Sequence, residues 1–293
     1  MRTPVLAALA VISAATAPVP RQQATFRSQV TLVRLDVLVV TNGRPVTGLT
    51  SSDFDVFDNG VRQVVTAEPA ESAPLDVVFA LDRSQSVGGE TLVGLKGAVR
   101  ATLAAMRDED RAALLTFANT VSLDAPLRSD RAAIGRAVDG VTSAGGTAAI
   151  DAVYGALSVA EGTGRRTLLL LFSDGFDWCS WLTPGDVVRA ARESEAVISG
   201  VAYMPPQGGR FATAPPHVAL LRQLTEATGG EVVTVRRGSD LAPTFVRILN
   251  TMRARYLLSY TPNGTDPRGW HTLKVSLRHS RGTVVVRPGY FGG

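Results

Sequence analysis

The stretch that most constrains this chain runs from Leu75 to Ser86, LDVVFALDRSQS. It opens with a near-continuous apolar run, Leu75, Val77, Val78, Phe79, Ala80 and Leu81, rich in β-branched and aromatic residues. Such a run reads as a strand buried on both faces, the kind found inside a parallel sheet. The sequence then switches to Asp82, Ser84 and Ser86, spaced two apart, and on to Gly88-Gly89. In open α/β sheets ligands bind beyond the carboxyl ends of the strands, where the strand order reverses. One carboxylate and two hydroxyls delivered there are hard oxygen donors, suited to Mg²⁺, Mn²⁺ or Ca²⁺. A plainer reading makes Asp82 and Ser84 caps of the helix that follows. The rest of the chain decides between them.

From residue 75 to residue 255, strand-like runs alternate with helical periods. Residues 90–106 place Leu92, Leu95, Val99, Leu103 and Met106 at helical spacing. Residues 111–117 and 121–127 are strands joined by a turn at Asn119, too short for a parallel crossover, so they pair antiparallel. Ser129 is the expected N-cap of the next helix, and Thr147, after Gly145-Gly146, that of the one following. Ile150, Val153, Tyr154 and Leu157 form the apolar stripe of that helix. Thr167 to Phe172 is a second doubly buried strand, ending in Ser173-Asp174-Gly175. Pro184 opens a helix, and strands at 197–204 and 231–235 are followed by helices at 217–228 and 241–253.

Six strands with one antiparallel hairpin at an edge give a doubly wound, mostly parallel sheet of order 3-2-1-4-5-6. Strands one and four are then neighbours at the switch point, so Asp82 and Asp174 end side by side. The loop bearing Thr147 emerges on the same face. Five oxygen-bearing side chains, Asp82, Ser84, Ser86, Thr147 and Asp174, converge on one crevice from three loops. Helix capping accounts for one or two of them but not for five.

The flanks have a different rhythm. From Val30 the odd-numbered residues are mostly apolar, then Asn42-Gly43 and Asn59-Gly60 mark two hairpin turns. Residues 67–74, AEPAESAP, are a linker by composition. After the α/β section, short strands return at 256–260, 270–277 and 283–287. Neither flank has enough strands to be stable alone. Residues 30–66 and 256–291 are therefore expected to combine into one small antiparallel β-sandwich, with the 75–255 domain inserted between them.

DRSQS, then GGT, then SDG after an apolar strand resembles the von Willebrand factor type A (VWA) family and its metal-ion-dependent adhesion site (MIDAS). The resemblance implies that Asp82, Ser84 and Ser86 are first-loop ligands of one divalent cation, most simply Mg²⁺, with Thr147 from the second loop and Asp174 from the third. PVTGLTSSDFDVFDNG and RARYLLSYTPNG…VVVRPGY look like an acidobacterial-type group of secreted proteins built around this domain. At most two carboxylates would leave the metal near neutral and open to exchange. A carboxylate from a protein partner, an Asp or Glu, suits such a position. The following loop carries Phe176, Asp177, Trp178 and Trp181, which with Arg83 are the candidate partner-binding residues; packing beneath the loop is the alternative for the aromatics.

Composition narrows the rest. Net charge is +4, and of 30 basic residues only Lys96 and Lys274 are lysines. The arginines are dispersed, with no basic stripe of the kind that binds nucleic acid. Residues 1–17, with Arg2, an apolar stretch from Val5 to Ala14 and the small residues SAATA, have the outline of a cleaved signal peptide. No lipid-attachment cysteine follows it, and no later run is long enough to span a membrane, so the expectation is a secreted or periplasmic protein. Cys179 is the sole cysteine, and the three histidines lack ligand spacing. There is no G-x-S-x-G elbow and no P-loop, and no His or Lys base lies near Ser84 and Ser86 in sequence. The reading is a non-enzymatic protein-binding module. The alternatives are an envelope assembly component whose metal is incidental and, further off, a metal-dependent hydrolase.

Overall fold

The computed structural model describes residues 32–71, 73–175, 177–204, 216–279 and 281–292. The expected leader, residues 1–17, lies outside them. Residues 33–69 supply β1 (Val33–Thr41), β2 (Arg44–Pro45), β3 (Phe54–Asp58), β4 (Val61–Gln63) and β5 (Thr66–Pro69). Alternation in β1 buries Val33, Leu35, Val37 and Val39. The β1–β2 and β3–β4 turns use Asn42-Gly43 and Asn59-Gly60, all four at positive φ between 47° and 81°. Two consecutive positive φ angles match the strand twist across a two-residue hairpin, and Asn-Gly adopts them with least strain.

The α/β section contains β6 (Leu75–Asp82), α1 (Gly89–Ala105), β7 (Arg111–Phe117), β8 (Val121–Arg128), α2 (Arg131–Gly140), α3 (Ala149–Ala160) and β9 (Arg166–Ser173). It continues with α4 (Pro184–Glu193), β10 (Val197–Tyr203), α5 (Pro216–Thr228), β11 (Val232–Val235) and α6 (Leu241–Arg253). The sheet order is β11-β10-β9-β6-β7-β8. It is a mixed sheet: β7 and β8 pair antiparallel, and every other neighbouring pair is parallel. Every residue of β6 is buried because both faces are covered. Leu75, Val77, Phe79 and Leu81 pack with α1, α2 and α6. Val78 and Ala80, one step out of phase, pack with α3, α4 and α5.

The chain closes with β12 (Tyr256–Tyr260), β13 (Gly269–Leu277), β14 (Thr283–Val285) and β15 (Gly289–Gly292). These strands pair with the first five. One sheet has the order β14-β1-β12-β5 with β2 on β1, the other β15-β13-β3-β4. The two share an apolar core of Val33, Leu35, Val37, Phe54, Val56, Tyr256, Leu258 and Leu273.

Three sequence expectations are corrected. Residues 66–69, read in part as linker, form β5, an edge strand on β12 that ends at Pro69. An edge position tolerates a residue without an N–H, so the proline-containing composition was misleading. Strand β15 was not foreseen, because its glycines lower strand propensity; pairing with β13 from Gly269–Gly292 to Thr272–Gly289 overrides that. The N-cap of α2 is Asp130, whose side chain accepts from the Ala133 amide at 3.0 Å, and not Ser129.

Arginines tie the paired flanks to the amino ends of the α/β strands. Arg166 donates from Nε to Asp36 Oδ1 at 2.7 Å and also to the carbonyls of Ala70 and Met252. Arg255 donates to the carbonyls of Asp36 and Gly229. Arg287 donates to the Ser194 carbonyl just beyond α4. Among the described residues the carboxyl ends of the same strands, at the opposite edge of the sheet, carry no such arginine clamp.

Candidate metal centre

β6 and β9 run parallel side by side, with Leu81 opposite Phe172, so their carboxyl ends deliver Asp82 and Ser173-Asp174 to one crevice. Asp82 is fully buried. Its Oδ1 accepts from the Ser84 amide at 2.8 Å, a turn that reverses the chain at the strand end. Its Oδ2 accepts from the Ser173 hydroxyl at 3.0 Å. The Ser84 and Ser86 hydroxyl oxygens lie 3.1 Å apart, and the Ser86 hydroxyl donates to Asp174 Oδ1 at 3.0 Å. A hydrogen-bonded series therefore links Asp82, Ser84, Ser86 and Asp174 across two loops.

Thr147 arrives from the loop before α3 and is buried. Its Oγ1 borders Gly175, where an added Cβ would sit 4.0 Å away. The expectation that Thr147 caps α3 is wrong. The N-cap position is Ala148, and no side chain there makes a capping bond. The Ile150 amide instead donates to Asp177 Oδ2 at 2.8 Å, and the Asp151 amide to Ser180 Oγ at 3.0 Å. The loop after Asp174 folds back over the helix start and brings better acceptors, which releases the Thr147 hydroxyl. Asp82 and Ser84 are not caps either: α1 begins after Gly88, without a side-chain cap.

Backbone bonds lace the three loops together. The Gln85 amide donates to the Gly145 carbonyl at 2.9 Å, the Ala144 amide to Arg83 at 2.9 Å, and the Trp178 and Cys179 amides to Thr147 at 2.9 and 3.0 Å. The electrostatics are unbalanced. Burial pushes the Asp82 carboxyl up to about 6, against the lowering effect of its Ser84 bonds, and the nearby Asp174 charge raises it further. Burial raises Asp174 as well, opposed by the Ser86 bond. Among the described residues no ion pair includes either carboxylate. Two carboxylates without a cationic partner, beside three hydroxyls, fit a hard divalent cation. Among the described residues no group of three His, Cys, Asp or Glu side chains is placed to hold a metal ion, and the donors gathered here are two carboxylates and three hydroxyls, without the thiolates and imidazoles typical of zinc.

A family model described as von Willebrand factor type A domain matches residues 76–245, more than half of the chain. The chain belongs to the von Willebrand factor type A domain family. It is similar in fold to a von Willebrand factor type A structure from Catenulispora acidiphila, with a TM-score of 0.55 and 15% identity over 85% of this chain and 74% of that one. It is also similar to proximal thread matrix protein 1 from the mussel byssus, with a TM-score of 0.52 and 18% identity over 68% of this chain and 50% of that one. A further structure of the mussel protein has a zinc-occupied MIDAS motif, with a TM-score of 0.52 and 19% identity over 69% and 51% of the two chains. A comparison with curated proteins returned no match.

The rim of this type A domain is now placed. Trp178 and Trp181 are 80% and 95% exposed, so the packing alternative does not hold for them. Asp177 faces inward as the cap of α3, and its Oδ1 also accepts from the Ser180 amide at 3.0 Å. Arg83 is half-buried and joins no ion pair among the described residues. Phe176 lies outside the described residues. Cys179 is half-buried against Asn119, with Sγ 3.7 Å from Oδ1. Sequence reasoning missed four organising residues. Ser173 was in view beside Asp174, in the SDG motif. Asn119, which accepts from the Gly146 amide, and the Asp151 and Ser180 pair had no local signal, because their partners are about thirty residues away.

Proposed function

We propose that this type A domain is a divalent-cation-dependent protein-binding module that engages an acidic side chain of a partner. The observation that carries the reading is the pair of carboxylates, buried Asp82 and half-buried Asp174, which join no ion pair among the described residues while three hydroxyls converge on them. Asp82, Ser84, Ser86, Thr147 and Asp174 would hold the ion, and their all-oxygen chemistry favours Mg²⁺, with Mn²⁺ or Ca²⁺ as substitutes. When bound, the cation supplies an open coordination position that a carboxylate oxygen can take. Ser173 and the Ser84 amide fix the Asp82 carboxylate, so the site is preorganised and little ordering accompanies binding. Among the described residues Ser84 and Ser86 face carboxylates and hydroxyls with no histidine or lysine bonded to them, which argues for holding a ligand over attacking one. The sequence of the leader supports export, and among the described residues no helix is long and apolar enough to cross a membrane. The pairing of both flanks supports a single β-sandwich, with the type A domain inserted into it.

The test is calorimetric titration with Mg²⁺, followed by titration with an Asp-containing peptide and its Asn counterpart. The wild type should bind Mg²⁺, and then the Asp peptide alone. Asp82→Asn and Asp174→Ala should each weaken Mg²⁺ binding by about a hundredfold. Peptide binding that persists in EDTA, or in either variant, overturns the reading.

A further inference from the structure

The loop after Asp174 shows two tryptophans to solvent on a rigid mount. Trp178 and Trp181 are 80% and 95% exposed. The backbone that carries them is bonded at residues 178 to 183, which fixes where both side chains leave the loop. Amides 178 and 179 both donate to the Thr147 carbonyl. Ser180 donates from its amide and its hydroxyl to the two oxygens of Asp177, at 3.0 and 2.7 Å. The Trp181 and Leu182 amides both donate to the Asp151 carboxylate at 3.0 Å. Thr183 then closes the loop as the N-cap of α4, in a reciprocal capping box with Asp186.

The clasp is mutual. Asp177 and Ser180 of the loop cap α3, and Asp151 of α3 holds the loop. Through amides 178 and 179, the same loop is tied to the carbonyl of Thr147, a candidate metal ligand. The tryptophans are therefore fixed relative to the oxygen crevice. Preorganised, desolvatable aromatic side chains of this kind are the usual energetic centres of protein interfaces. Arg83, unpaired among the described ions, adds positive charge between two of the oxygen ligands.

We infer that Trp178 and Trp181 form a docking face for an extended acidic peptide segment whose metal-bound Asp or Glu is flanked by aromatic or large aliphatic side chains. The inference rests on the metal-dependent reading above and adds the identity of the flanking residues. The crevice selects the acid, and the tryptophans select its neighbours.

The probes are two synthetic peptides with a central Asp, one flanked by Phe and one by Ser, titrated in Mg²⁺ and followed by tryptophan fluorescence and calorimetry. The wild type should bind the Phe-flanked peptide at least about tenfold more tightly. The double variant Trp178→Ala/Trp181→Ala should bind both peptides equally, at the Ser-flanked level, with Mg²⁺ affinity unchanged as the control for folding. Equal binding of the two peptides by a Mg²⁺-loaded wild type overturns this inference alone, as does a Phe preference that survives in the double variant. A wild type that takes up no Mg²⁺ overturns the metal reading and the inference with it. Quenching by cellohexaose without response to either peptide assigns the tryptophans to a glycan and overturns the peptide assignment.

Discussion

Asp76 and Asp82 stand six residues apart on the same strand, both fully buried, and have opposite surroundings. At the amino end, Asp76 accepts from Arg111 at 2.9 and 2.6 Å, and Arg165 Nε lies 2.9 Å away. Its neighbours follow the same rule: Asp110 pairs with Arg253, and Asp36 with Arg166. At the carboxyl end, Asp82 and Asp174 accept from hydroxyls and an amide and pair with no cation among the described residues. A buried carboxylate is costly unless its charge is met. The amino end meets that cost internally, with arginines that also clamp the paired β flanks. The carboxyl end leaves it open, as the proposed cation site requires.

The contrast breaks most visibly at Asp110. Its carboxylate accepts from the Leu75 amide at 3.0 Å and the Arg107 amide at 2.7 Å while pairing with the buried Arg253. Asp110→Asn should lower unfolding free energy by about 3–5 kcal/mol in urea denaturation, because Arg253 is left buried and unpaired. The Mg²⁺ affinity of the folded fraction should not change. Should Asp82→Asn prove as damaging to the metal-free protein, the two ends would not differ in the way described.

The next effect is on pH. The Asp82 carboxyl is raised to about 6 by burial, so a proton would compete with the proposed cation over an unusual range. Below pH 6, Mg²⁺ affinity should fall by about tenfold per unit, read by calorimetry. The sign for stability is the reverse. A folded value above the ordinary carboxylate value means that the folded state binds the proton more tightly. The metal-free protein should therefore gain stability from this group as pH falls through 6 toward the ordinary value, visible as a rise in Tm absent from Asp82→Asn.

The smallest effects separate two neighbours of α3. Thr147→Ala should weaken Mg²⁺ binding by about tenfold and leave stability within about 0.5 kcal/mol, since the hydroxyl caps nothing. Asp177→Ala should cost about 1 kcal/mol in denaturation, as loss of a helix cap does. If Thr147→Ala carried the stability loss, its hydroxyl would be structural after all.

How far the sequence could be read follows from the range of the interactions. The apolar strands Leu75–Asp82 and Arg166–Ser173 were legible because double burial leaves a local mark, an unbroken apolar run. The Asn-Gly turns were legible because positive φ selects those residues. The meeting of Asp82, Ser84, Ser86 and Asp174 in one crevice was legible because strand ends and their loops are written in order along the chain. β5 was hidden in a linker-like composition, and β15 among glycines. Thr147 was read as a cap because nothing near it in sequence reveals that Asp177 takes that place.

The sequence by itself determined the alternation of strand and helix, the switch point and the oxygen chemistry gathered there, all consequences of burial period and local backbone preference. The tertiary structure alone decided which carboxylates meet an arginine and which stay open, which side chain caps α3, and how firmly Trp178 and Trp181 are held. Those outcomes depend on groups 27 to 143 residues apart meeting within 3 Å, and no local pattern encodes such a meeting.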